Sequence, residues 1–398
     1  MRTNHNSKSH TRNSRTEFTT ARSDRQRVEG ASQPGAASAG THRAPGADAT
    51  EGEAARTAIS LPPTITSLPS TSGAVTMRTT AVEPAHRAVD AGGTTSPAAG
   101  LASGPATATR HLQVHNETGR LRSVVIGLPD TFELPPPINR KHEIFHADHP
   151  ERPTQSKLIP EFAAFRSVLE ARGVEVLQPR PVPGVPDQLT PRDIGFVLGD
   201  TFVVSNMRTE CRRHEWKGIE HLIDEMPEDR VVWVPDDVTV EGGDIILDRG
   251  TLYIGLSERT SIEGAEWLRE HYAWRYRVQL VPLKELHHGE DVLHMDCTFL
   301  PVGEHHCLIY PDGFHQIPKC VRANYEWIEI TKEEQFELAT NVLSISPTEV
   351  ISRHSSTRIN NRLRELGFEV IEVKFDETPK GGGSFRCSSL PLYREDGD

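Results

Sequence analysis

The run Gly381-Gly382-Gly383-Ser384-Phe385-Arg386-Cys387 sets a thiol behind three glycines and beside a guanidinium. Glycine lets backbone approach a ligand closely and take turns closed to other residues. An adjacent cation favours the thiolate, the form that attacks electrophiles. Two further runs supply what such a thiol needs. Glu241-Gly242-Gly243-Asp244 carries carboxylates, and His294-Met295-Asp296 carries an imidazole and another carboxylate. Taken singly, each has a plain structural reading: a surface thiol after a loop, a turn aspartate, a His-Asp pair on one side of a strand. Taken together they make a nucleophile, an acid/base and two acids.

The chemistry that uses all four is attack on a guanidino carbon. Asp244 and Asp296, brought close, would repel unless a cation lay between them. A guanidinium is planar, stays charged and fits carboxylates through paired N–H donors. Cys387 is then the nucleophile, and His294 protonates the departing amine and later activates the incoming nucleophile. Asp244 belongs with these catalytic groups, while Asp296 and Arg386 are assigned to the substrate. Other chemistries fit less well. His287, His288, His294, His305, His306 and His315 lack His-Glu-x-x-His spacing and a neighbouring cysteine pair, so no metal and no cofactor is expected. Lys380 precedes the glycines, which excludes a phosphate-binding P-loop, and Ser384 is not in a nucleophile elbow.

Elements that could position these groups recur after residue 111. The pattern is strand, turn, strand, helix, strand, read five times. The strands are placed at Leu121–Leu128 and Val174–Leu177, then Gly195–Leu198, Thr201–Ser205 and Val231–Val234. Ile245–Leu247, Leu252–Gly255 and Val278–Val281 follow, then Thr298–Val302 and Cys307–Tyr310, and finally Glu349–Ser352 and Glu369–Val373. Helices are expected at 160–172, 213–224, 262–272, 332–340 and 355–366. Gly173 and Gly367 follow the first and last of these, as helix stops. Units that bury their apolar faces only on neighbours suggest a closed ring of α/β modules, a five-bladed pseudo-symmetric propeller. An open doubly wound sheet is the rival, and no Gly-x-Gly-x-x-Gly follows the first strand.

Composition divides the chain at the same place. Residues 1–110 hold one aromatic, Phe18, with twelve basic and eight acidic residues. Such a stretch cannot bury enough apolar surface to offset its ordering entropy, so a disordered tail is expected there and a folded catalytic domain over 111–398. Met77 is a candidate start, and a superficial likeness to a transit peptide lies in the first 27 residues. The remainder carries 44 − 12 = 32 basic and 56 − 8 = 48 acidic residues. That acidic body argues against nucleic-acid partners and favours a cationic ligand. No apolar run reaches 18 residues, so no membrane span is expected. Five scattered cysteines without CxxC spacing point to reduced thiols and a cytoplasmic setting.

At these residues the sequence resembles the guanidino-group-modifying enzymes: arginine deiminases, amidinotransferases and dimethylargininases. The resemblance covers about 111–398 and implies the pentein-type five-fold α/β propeller. It maps the family's cysteine onto Cys387, its histidine onto His294 and its guanidinium-binding aspartates onto Asp244 and Asp296. It adds Asp193, in Arg192-Asp193, and Arg212, as the arginine that binds a substrate carboxylate. Gly255-Leu256-Ser257-Glu258-Arg259-Thr260 is similar to the deiminases, while Gly264–Arg269 and His294–Phe299 are similar to the amidinotransferases. The chain has no room for the helical insertion of bacterial arginine deiminases. Dimethylargininases usually lack an acid at the Asp296 position, so its presence favours an unmethylated guanidinium. These features lean toward transfer of an amidino group from arginine or a relative to an amine acceptor. Hydrolysis of the same intermediate is the alternative, and a non-catalytic ribosome-binding propeller a remote one. An oligomer is compatible with all of them.

Overall fold

The computed structural model of the chain describes residues 109–396. The expected tail lies outside them except for its last two positions. One of those, Arg110, is tied down: its side chain meets Glu225 at 2.6 Å and its N–H donates to the Glu225 carbonyl.

Among the described residues the fold is α/β with five three-stranded sheets. Four share one plan, two antiparallel strands joined by a short connection and a third strand that arrives parallel. Gly195–Leu198 pairs with Thr201–Val204, which pairs with Val231–Trp233. Ile245–Asp248, Thr251–Leu256 and Arg277–Pro282 repeat the plan. So do Phe299–Val302, His306–Ile309 and Glu326–Glu329. Leu343–Ser344, Glu349–Arg353 and Glu369–Val373 form the fourth. In the remaining sheet Arg120–Ile126 is central, with Glu175–Leu177 parallel on one side and Ser389–Glu395 antiparallel on the other.

A parallel partner requires a crossover, and short helices supply it. The helix Gln155–Glu170 buries Leu158, Phe162, Phe165 and Leu169, a repeat of three to four residues that puts one apolar stripe on the sheet. It starts earlier than its sequence suggests: Pro160, expected at the helix start, sits inside it and leaves the Ser156 carbonyl without its intrahelical donor. The helix Ile262–Tyr272 has the expected bounds, with the Ser261 side chain accepting from the Gly264 N–H. Gly173 and Gly367 both take left-handed φ, 75° and 92°, as helix-stop glycines do.

Two expectations need correction. The helix expected at 213–224 is a 3₁₀ turn, Glu215–Ile219, continued by one α turn, Glu220–Ile223. In the fourth unit the crossover is Lys319–Asn324, followed by the unforeseen strand Glu326–Glu329. Lys332–Phe336, within the expected helix 332–340, leads instead to the next sheet. Only Val321 of the six-residue crossover is buried, so no apolar periodicity marks it.

One regularity positions the chemistry. The segment leading into the first strand of each repeat carries a polar residue close to that strand: Asp193 before Gly195, Asp244 before Ile245, Asp296 before Phe299, Asn341 before Leu343. Cys387 stands in the same way before Ser389.

Candidate active site

Cys387 is buried, and its backbone is pinned on both sides. Its N–H donates to Asn341 Oδ1 at 3.0 Å, and its carbonyl accepts from the Arg192 N–H at 3.1 Å. The thiol lies 3.5 Å from Asp296 Oδ2. Cys387 shares one cavity with His294, Asp193, Arg212, Arg259, Asp187, Thr190 and His142, and Gly381, Gly382 and Gly383 form part of its wall. Ile138 and Asn139 line it as well. The free volume is about 30 Å³, room for water but not for an organic molecule of several atoms.

His294 is held by acids on both sides. Its Nε2 is 2.9 Å from Glu241 Oε2, and its Nδ1 is 3.7 Å from Asp193 Oδ1. Burial alone would lower its pKa, but Asp193, Glu241 and Asp244 outweigh burial and raise it to about 10. The ring is therefore an imidazolium at neutral pH, the form that can give a proton away. Gly243 makes the fit: a Cβ there would stand 2.6 Å from His294 Cγ.

Glu241 is the residue that sequence reasoning passed over. It opens the Glu-Gly-Gly-Asp run, in which the sequence alone points to Asp244. The turn Gly242–Asp244 is 3₁₀, so residues three apart fall on one side and both acids approach the histidine. Glu241 takes the ring nitrogen. Asp244 instead accepts from the Met295 N–H at 2.9 Å and the Ser257 hydroxyl at 2.7 Å, and it does not line the cavity. Burial raises its pKa to about 6. Spacing was the available signal: a Gly-Gly pair between acids brings the outer one into reach.

Asp296 departs from expectation in the same way. His294 and Asp296 were placed on one side of a strand, yet Met295–Cys297 is a 3₁₀ turn and they diverge. His294 faces the cavity. Asp296 turns beneath it, with Oδ2 against Arg386 Nη1 at 2.9 Å and Oδ1 3.6 Å from the Cys297 thiol. Arg386, assigned to the substrate, is not in the cavity. Its guanidinium is buried and fully engaged by Glu117, Asp296 and the Ile245 carbonyl. Arg212 does reach the cavity, but its donors go to Glu215, Asp193 and Thr190. It therefore orients Asp193, whose Oδ1 has no hydrogen-bond partner among the described residues. Arg259 also lines the cavity, and among the described residues its side-chain hydrogen bonds go to neutral oxygens, Thr209 Oγ1 and the Ile138 carbonyl.

Two residue groups have metal-binding geometry among the described residues. Asp193, Glu241 and His294 bring ligand atoms within 4.8 Å of one another, as do Glu285, His287 and His288 near the surface. In the first, each carboxylate already has a protein partner, Glu241 in His294 Nε2 and Asp193 in Arg212 Nη1.

A cysteine and an imidazolium held by acids within one α/β fold define a class, and comparison with known proteins agrees with it. The amidinotransferase SxtG of Microseira wollei superposes with a TM-score of 0.62 at 21% identity, covering 72% of this chain and 98% of that one. The sequence profile of the eukaryotic N,N-dimethylarginine dimethylhydrolase family matches residues 129–394. The chain belongs to that family, and with it to the guanidino-modifying enzymes. It is 33% identical over 283 residues to the uncharacterized protein YkgA of Bacillus subtilis, covering 70% of this chain and 94% of YkgA. An arginine deiminase of Bacillus cytotoxicus is 26% identical over 257 residues, covering 53% of this chain and 63% of the deiminase. Among the described residues no helix is long and apolar enough to cross a membrane.

Proposed function

We propose that the chain is a cysteine-dependent hydrolase of a guanidino acid of the arginine type. The observation that carries this reading is the shared cavity of Cys387, the His294 imidazolium and Asp193 with its unpartnered oxygen. Asp193 takes the guanidinium, whose charge favours the Cys387 thiolate beside it. Sulfur bonds to the central carbon, and His294 gives its proton to the departing amine as the C–N bond breaks. The neutral imidazole then takes a proton from water, the oxygen attacks the amidino carbon, and the C–S bond breaks to release thiolate and a urea. Glu241 holds the ring in place and supports its charge throughout. Asp296 and Arg386 act beneath the sulfur rather than on the substrate. We further propose that the five sheets are blades of one closed ring, residues 111–398 forming the catalytic domain.

Water as the acceptor is supported by the match of residues 129–394 to the dimethylarginine dimethylhydrolase profile. Transfer to an amine, toward which the sequence leans, shares every step up to the covalent intermediate. The test is to incubate the protein with L-arginine and with Nω,Nω-dimethylarginine, with and without glycine. We expect citrulline without acceptor, and the released amine, ammonia or dimethylamine, identifies the substrate. Turnover only with glycine would establish transfer. Cys387→Ala should abolish turnover, and chloroacetamidine should label Cys387 ahead of the other four cysteines. Full activity in Cys387→Ala overturns the mechanism.

A further inference from the structure

Cys297 is used by no step above. It is 1% exposed and carries a free thiol, as Cys387 does. The two sulfurs lie against the two oxygens of one carboxylate. Cys387 Sγ is 3.5 Å from Asp296 Oδ2, and Cys297 Sγ is 3.6 Å from Asp296 Oδ1. They also face each other: contact with Cys387, then burial and the Asp296 charge, push the Cys297 thiol up. The arrangement is held from both sides. Arg386 fixes the carboxylate at 2.9 Å, while Asn341 and Arg192 fix the Cys387 backbone. Access separates the two thiols. Cys387 lines the catalytic cavity and Cys297 does not. A small oxidant entering the cavity therefore meets Cys387 first, with a second thiol beside it and off the cavity. A cysteine oxidised to sulfenic acid condenses with a neighbouring thiol to a disulfide, which is reversible. Without such a neighbour it goes on to sulfinic acid, which is not.

We propose that Cys297 is a resolving thiol, which closes a reversible disulfide with Cys387 under hydroperoxide and so spares the nucleophile from irreversible oxidation. This rests on the reading of Cys387 as the reactive thiol. The Cys387 sulfur attacks the peroxide. An S–O bond forms as the O–O bond breaks, sulfur is oxidised to sulfenic acid, and the peroxide is reduced to water. The Cys297 sulfur then attacks the Cys387 sulfur. The S–S bond forms, the S–O bond breaks, and the oxygen leaves as a second water with the Cys297 proton. The test treats the full-length protein with hydrogen peroxide, maps its cysteines by non-reducing peptide mass spectrometry, and measures turnover of L-arginine before and after dithiothreitol. Wild type should yield a Cys297–Cys387 linked peptide and regain most of its activity on reduction. Serine keeps a donor to Asp296, so untreated Cys297→Ser should work within about threefold of wild type. After peroxide it should carry sulfinic acid at Cys387 and regain less than about a tenth of its activity. Cys297→Ala stands in if the serine variant does not fold. Peroxide-treated wild type without the linked peptide overturns the proposal, as does a Cys297 variant that recovers as fully as wild type. A linked peptide in protein inert toward arginine would instead uphold the disulfide and overturn the hydrolase reading.

Discussion

Glu241 and Asp193 act on His294 from opposite sides, and the pH dependence should report it. Turnover needs the imidazolium, whose pKa is raised to about 10, so activity should persist through neutral pH and fall as pH approaches that value. Glu241→Gln removes one supporting carboxylate and so lowers the imidazolium pKa. The alkaline limb of kcat/KM should then move down by about one unit or more, read from a pH–rate profile. An unmoved limb would assign that limb to another group. Asp193→Asn should raise KM for arginine at least about tenfold, because the guanidinium loses a charged partner. The residues of this site were legible in the sequence as types: thiol, imidazole, acids beside glycine. Their roles were less so, because a 3₁₀ turn redistributes neighbours. The step from His294 to Asp296 separates them, and the step from Glu241 to Asp244 brings the outer acid to the ring.

Among the elements, the central strands and glycine stops were readable because such strands are continuous apolar runs and the stops take left-handed φ, whereas Glu326–Glu329, Leu343–Ser344 and Ser389–Glu395 were not foreseen. The Lys319–Asn324 crossover was not, since a helix with one buried residue carries no period. The Gly242–Asp244 turn makes a sharp prediction. Gly243→Ala would drive a Cβ into the His294 ring, and overpacking of that kind costs about 1–3 kcal/mol. Activity should be lost together with a lower Tm. If Gly243→Ala keeps both, the ring is not seated as described. The stretch before the first strand also matters. Glu117 is buried against Arg386 at 2.7 Å, and although burial opposes it, Arg386 and Arg192 lower its pKa to about 2. A depressed acid contributes stability above its unfolded pKa and loses it as pH falls through the folded one. Glu117→Gln should therefore destabilise the protein by about 3–5 kcal/mol at neutral pH. The gap should close between about pH 4 and pH 2, measured by denaturant melts.

For the whole molecule, the division foreseen from composition at residue 110 can be made functional. A chain starting near residue 108 is expected to fold and to turn over substrate like the full-length protein. A chain starting at residue 120 would lack Glu117 and strand Arg386 as a buried, half-paired cation next to the nucleophile. It should be insoluble or inactive. Equal activity of the two would show that the segment from Arg110 to Gly119 is dispensable.

The strand Ser389–Glu395, which directly follows Ser388 and the nucleophile, is paired with Arg120–Ile126, among the earliest strands to leave the ribosome. The loop that bears the sulfur is thereby anchored from its far side by a strand synthesised long before it, so the seat of the nucleophile is completed by a contact between the two ends of the folded segment.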